Sequence, residues 1–286
     1  MGKTRKSHHG IRRCSKAVSP AISTVILTGA IVCMLSVTIA FANNFLTARM
    51  AESEYSAMKQ FMQTVGLQAD DVAWTIGRTQ TIRYSSRYGD VVFEPDALNY
   101  TIEANTDGTF KPFCSFKCSL IVFNMPTSKY SIGNDFYQPI FPTSSFSFLQ
   151  IGASAPITRV FAVEKLPMYD GSFLRVVVAP SLRLLNSTIV TNGTTNHYFK
   201  LYLPIFADGE HLGRSQSITI TSESVSISTK SGVTAIRIRV FYLRSGEGFD
   251  SNFFNFPSQP VIIDVPDGSI LEVYHSNVSA SFGVHA

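Results

Sequence analysis

The sequence predicts an α+β chain, a long N-terminal transmembrane and stalk helix followed by a β-rich, sandwich-like head. Three observations carry this prediction. Every residue from Ala17 to Ala48 is uncharged, whereas the residues before it hold Lys3, Arg5, Lys6, Arg12, Arg13 and Lys16 and no acid. Apolar residues then recur at steps of three and four as far as Ile76. From Thr79 onward that period gives way to short alternating, β-branched runs broken by Gly, Pro, Asn and Asp. The expected organisation is a basic leader peptide (1–17), a transmembrane and amphipathic stalk helix (18–76) and an extracellular head (77–286).

The leader sets the orientation. Clustered positive charge is retained on the cytoplasmic side of a membrane, so the chain after it emerges outside. Val18 to Ala42 is a run of 25 residues, which as a helix reaches about 37 Å and crosses a hydrocarbon core of about 30 Å. Ser23, Thr24, Thr28, Ser36 and Thr38 fit such a helix because a hydroxyl can bond back to the preceding turn. Pro20 sits near the start, where a missing N–H costs least. A secretory signal peptide ending at Ala40-Phe41-Ala42 is one reading, although its apolar centre usually spans about 7–15 residues. A plain membrane anchor explains the length but not the junction Lys16-Ala17-Val18-Ser19-Pro20. A leader cut between Ala17 and Val18, with the helix retained, explains both.

The segment KAVSPAISTVILTGAIV resembles the N-terminal segment of archaeal type IV pilins and pilin-like proteins. In that family a basic and a small residue precede the cut, and a V-S-P-type start leads into the apolar helix. Lys16, Ala17, Val18, Ser19 and Pro20 occupy those places here. The resemblance spans roughly residues 12–46 and implies a processing site at Lys16, Ala17 and Val18 for a prepilin peptidase. It also implies a cell-membrane location with membrane lipid around the helix, association with other pilin-like subunits or with itself, and N-linked glycans. No acid follows the cut closely, which sets the chain apart from the bacterial branch. Cys14 would leave with the leader, and Cys33 reads as a small buried hydrophobe.

Beyond the membrane segment the stripe is Phe45, Ala48, Ala51, Tyr55, Met58, Met62, Val65, Ala69, Val72 and Ile76, the mark of an amphipathic helix. Gly66 weakens that helix by about 1 kcal/mol relative to Ala. Gly77 supplies the stop. One helix from about residue 19 to 76 measures about 87 Å if unbroken. Gly29 and Ala30 leave room for close helix approach, and a contact between copies that does not close generates a helical filament. A stalk helix docked on its own β-domain, without a filament, demands the same stripe.

In the head, QTIRYSSRYGDVVFEP reads as two strands around Gly89-Asp90. LRVVVAPSLRLL, YFKLYLPIFA, SITITSESVSIST, TAIRIRVFYLR, PVIIDV and ILEVYHSNVSASF follow as further strands. Their number and spacing predict a sandwich or jelly-roll-like body, and about 210 residues suffice for one core. Tyr130 to Phe148 reads as an ordered loop.

Cys114 and Cys118 form the disulfide candidate, closing a small loop outside the cell, with a reduced pair or a metal pair as alternatives. Asn99, Asn186, Asn192 and Asn277 begin N-x-S/T sequons and are the N-glycosylation candidates. The whole chain balances 24 bases against 20 acids, a net +4. Removing the leader's six bases leaves 18 against 20, so the working protein would carry −2. Nucleic-acid binding therefore has little support, and Arg237, Arg239 and Arg244 read as a solvated strand face.

No nucleophile elbow, phosphate loop, dinucleotide fingerprint or zinc signature occurs. The expectation is no enzyme, no catalytic residues, no cofactor and no metal. Asp70 and Asp71 point about 100° apart on a helix and cannot act as a dyad, so they read as solvated or as partners of Arg78 and Arg83. The acids at Glu103–Asp107 and Glu247–Asp250 offer at most weak calcium binding. The function expected is an archaeal pilin-like surface subunit, polymerised into a filament with a role in adhesion. The alternative is a monomeric, membrane-anchored β-sandwich that binds a glycan or solute, for which Phe136, Tyr137, Phe141, Phe253, Phe254 and Phe256 are the aromatic candidates.

Overall fold

The structure, a computed structural model, describes residues 20–133, 135–143, 148–164, 172–191, 193–211, 216–244 and 259–283. It is α+β, with one long apolar N-terminal helix followed by a large strand-rich sheet. The chain divides into two compact units, Met1–Thr47 and Ala48–Ala286.

Helix α1 runs Pro20–Ala73. Its apolar part is long and apolar enough to cross a membrane, with a mean hydropathy of 2.4 in its most apolar window. Three of the hydroxyls there are satisfied within the helix: Thr28, Ser36 and Thr38 donate to the carbonyls of Thr24, Val32 and Met34 at 2.8–2.9 Å. The helix ends at Ala73, three residues before the last position of the expected stripe. Thr75 N–H bonds to Val72 O, and Gly77, at a φ of 79°, turns the chain so that its N–H reaches Ser222 O at 2.8 Å.

The sheet contains β1 (Thr79–Arg83), β2 (Asp90–Asn105), β3 (Phe110–Pro126), β4 (Phe136–Phe141), β5 (Leu149–Ile151), β6 (Thr158–Glu164), β7 (Phe173–Pro180), β8 (Leu182–Thr191), β9 (Thr194–His211), β10 (Ser217–Tyr242) and β11 (Val261–Phe282). Its hydrogen-bonded path is β4-β6-β7-β3-β2-β10-β11-β9-β8-β5, with β1 on β10. The pairs β9–β11 and β5–β8 are parallel and the others antiparallel. SITITSESVSIST and TAIRIRVFYLR, expected as two strands, are one strand, β10. It pairs with β1 over 217–221 and with β2 over 235–242. The β10–β11 register shifts between Lys230 and Ala235, where Gly232 and Gly268 take positive φ. Such irregularities bend a strand pair. The expected loop at 130–148 contains strand β4.

Alternate residues of the central strands feed two cores. On β3, Leu120 and Val122 enter one cluster while Ile121 and Phe123 enter the other, and all four are 0% exposed. The first cluster gathers Leu98, Tyr100 and Ile102 of β2, Phe161 and Val163 of β6, Leu201 and Leu203 of β9 and Leu271 and Val273 of β11. Strands far apart along the hydrogen-bonded path meet there, so the sheet wraps around this core. The second cluster lies on the other face of β3, β6 and β7 and is covered by Ala51, Tyr55, Met58, Met62, Val65, Ala69 and Val72 of α1.

Two carboxylates fix loops against this frame. Glu54 accepts the N–H groups of Arg87 and Tyr88 at 3.0 and 2.9 Å and the Ser86 hydroxyl at 2.6 Å. Glu164, fully buried at the end of β6, accepts Ile132 N–H at 2.7 Å, Gly133 N–H at 3.4 Å and the Ser131 hydroxyl.

Candidate functional site

The unit ending at Thr47 presents the largest uncovered apolar surface among the described residues. Val25, Val37 and Phe41 are 71%, 70% and 73% exposed, and among the described residues nothing buries the most apolar window of the helix. Cys33, expected to be buried, is exposed with its neighbours. Of the predicted stripe, Phe45 and Ile76 stay 52% and 65% exposed, and burial begins at Ala51. The processing residues Lys16, Ala17 and Val18, together with Cys14, lie outside the described residues.

The disulfide candidate is corrected. Cys114 and Cys118 are free thiols on one continuous strand, opposite Ile102 and Leu98 of β2. Four residues of strand span about 13 Å, whereas a bridge needs Cα atoms about 4.4–6.8 Å apart. Cys118 is fully buried, and burial pushes its thiol well above the ordinary range. Cys114 is shifted the same way for the same reason. The two point into the first core with Leu120 and Val122, so FCSFKC is a strand face rather than a loop.

The sequons differ in environment. Asn186 and Thr188 are exposed on β8, and the Thr188 hydroxyl lies 3.2 Å from His197 Nδ1. Asn99 is half-buried and its Oδ1 accepts the Ser115 hydroxyl at 2.9 Å. Asn277 donates through Nδ2 to Ser224 Oγ at 3.1 Å, and the hydroxyl residue of its sequon, Ser279, is buried in the sheet. Asn192 lies outside the described residues.

The described aromatic candidates pack into the cores instead of forming a ring platform. Phe136 and Phe141 pack on the helix-side core, and Tyr137 stacks on Phe161 at 5.4 Å. Phe253, Phe254 and Phe256 lie outside the described residues. Most of the charged candidates are likewise engaged. Arg78 pairs with Asp71 as expected, but Asp70 meets Arg183 at 3.8 Å rather than Arg83. Arg237 and Arg239 converge on Glu103, Arg244 meets Glu94 at 3.2 Å, and Asp107 is held by Lys111 at 2.8 Å. The acids at Glu103–Asp107 are thus drawn to bases rather than to one another, and Glu247–Asp250 lie outside the described residues. Among the described residues no group of three or more His, Cys, Asp or Glu could hold a metal ion. No protein-family model, curated protein or solved structure matches the chain.

Proposed function

We propose that the protein is an archaeal type IV pilin-like structural subunit of the cell surface. It would be inserted through α1 with its head outside, trimmed by a prepilin peptidase between Ala17 and Val18, and polymerised through the apolar helix. The observation that carries this reading is a helix of two kinds joined end to end. Its second half has one apolar face, which the sheet covers. Its first half is apolar all round, and among the described residues nothing covers its most apolar window. A segment of that kind needs lipid or copies of itself. The basic leader and the Lys16-Ala17-Val18-Ser19-Pro20 junction favour a route that retains the helix and delivers it to other subunits. The head is read as a sandwich made by one sheet turning at the β10–β11 bend, and its role is adhesion rather than catalysis.

The test is the mature N terminus of the protein purified from its own membranes, determined by mass spectrometry. A chain starting at Val18 supports the reading. One starting at Asn43 would make the head a secreted protein that keeps the docked half of α1 but lacks its apolar membrane segment, and an intact leader would make the chain a simple anchor. An Ala17→Trp variant is expected to remain full-length and unassembled.

A further inference from the structure

We propose that the groove between α1 and β4 binds a saccharide bearing one carboxylate, a hexuronic-acid unit. The groove has a volume of about 330 Å³, within the range of small-molecule sites. One wall is a stripe of α1 that includes Lys59, Gln60 and Gln63; the other is β4 at Gln138 and Pro139, extended to Thr143. β4 stands at the end of the strand path and pairs only with β6, so its other edge is free among the described residues.

The charge of the groove points to an anion. Lys59 is half-buried, its Nζ donates to Gln138 Oε1 at 3.2 Å and it lies 5.5 Å from the centroid of the Tyr55 ring. Among the described residues it forms no ion pair and no acid lines the groove. The positive charge is thus held in place by an amide and an aromatic face, and neither neutralises it. The rest of the polar lining is amide and hydroxyl, groups that both donate and accept hydrogen bonds, as neighbouring sugar hydroxyls require. An acidic peptide added as a strand on β4 fits less well. Pro139 has no N–H, and the β4–β6 register shifts between Pro139 and Phe141, so β4 offers no continuous ladder.

The inference rests on the head lying outside the cell but not on polymerisation, since every lining residue belongs to the unit Ala48–Ala286. Full-length protein in detergent is titrated calorimetrically with digalacturonate, with neutral cellobiose and with a short glutamate-rich peptide. Digalacturonate is expected to bind, more weakly as salt is raised. Lys59→Met should lose about tenfold or more in affinity, Lys59→Arg should keep binding, and Gln63→Leu, which leaves the charge intact, should weaken it. Matching unfolding transitions for all variants exclude misfolding as the cause. Absence of digalacturonate binding, equal affinity for cellobiose, indifference to Lys59→Met or tighter binding of the peptide each overturns the proposal. None of these results alters a mature N terminus at Val18, so the two readings fail separately.

Discussion

Gly66→Ala sets helix propensity against packing. By propensity alone, alanine inside a helix gains about 1 kcal/mol over glycine, so the substitution should stabilise α1. Docking on the sheet reverses the sign. A Cβ on Gly66 would lie 2.8 Å from Val160 Cγ2 and 3.1 Å from Thr158 Oγ1, against an ordinary carbon contact of about 3.5–4.0 Å. Val160 is 1% exposed and β-branched, so it has little room or freedom to swing aside. Thr158 is fully buried, and its hydroxyl donates to Gly66 O at 2.9 Å, a bond that any retreat of the helix would stretch. Overpacking of this kind costs about 1–3 kcal/mol and a lost hydrogen bond about 1 kcal/mol. After the propensity gain, the net expectation is a loss of about 1–3 kcal/mol. Denaturant unfolding of the full chain in detergent would read it out. The probe is the fluorescence of Trp74, the single tryptophan, whose ring meets Tyr202 edge-on at 5.2 Å. In a Val160→Ala background the obstructing methyl is gone, and Gly66→Ala should become neutral or stabilising by up to about 1 kcal/mol. An equal loss in both backgrounds, or no loss in the native one, would show that Gly66 is not where α1 seats on the sheet.

Glu164→Ala leaves the donors of Ser131, Ile132 and Gly133 without their acceptor. It should cost about 2–4 kcal/mol in the same unfolding experiment and speed proteolysis near residue 131. His275 is held below its ordinary 6.5 by burial, and its ring lies 4.7 Å from that of Phe116. Between the lowered value and 6.5 the unfolded chain binds more protons, so stability should fall as pH drops through that interval. A His275→Gln variant should show a flatter midpoint-versus-pH curve, and an unchanged slope would assign the acid sensitivity to other groups. If the head is exported, glycopeptide mass spectrometry should find Asn186 occupied, with Asn99 and Asn277 bare. Occupancy at Asn277 would mean that modification precedes formation of the β10–β11 pair.

The helix was legible in the sequence because its signal is long and periodic. Seven of the predicted stripe positions, from Ala51 to Val72, are the buried ones. The ends of the stripe were misread for a physical reason: periodicity reports a face, not whether anything lies against it, and Phe45 and Ile76 continue the period without cover. The central strands were harder. β3 and β6 are buried on both faces, so Leu120-Ile121-Val122-Phe123 and the run at 158–164 show no alternation. The cysteines of β3 drew attention to a loop that does not exist. The continuity of β10 was hidden because Lys230-Ser231-Gly232 looks like a turn ending a strand, whereas the strand runs on through a register shift. The groove beside Lys59 had no sequence signal at all, since it joins a helix face to a strand about 80 residues later whose only mark was an aromatic-rich loop.

The closure of α1 also has a consequence in time. The carbonyl of Ala73 accepts the hydroxyls of Ser222 and Ser276, residues 149 and 203 positions later in the chain. Val278 and Ala280 complete the apolar bed beneath the helix. The face of α1 is therefore among the first surfaces synthesised and among the last to be covered. At about 5–20 residues per second the ribosome needs roughly 10–40 s to pass from the end of α1 to the end of β11. Contacts of such long range also slow folding afterwards. β11 must then enter between β10 and β9, antiparallel to one and parallel to the other. A nascent chain arrested before Val261 would hold both neighbours of the missing strand and an α1 whose sticky side is still waiting for it.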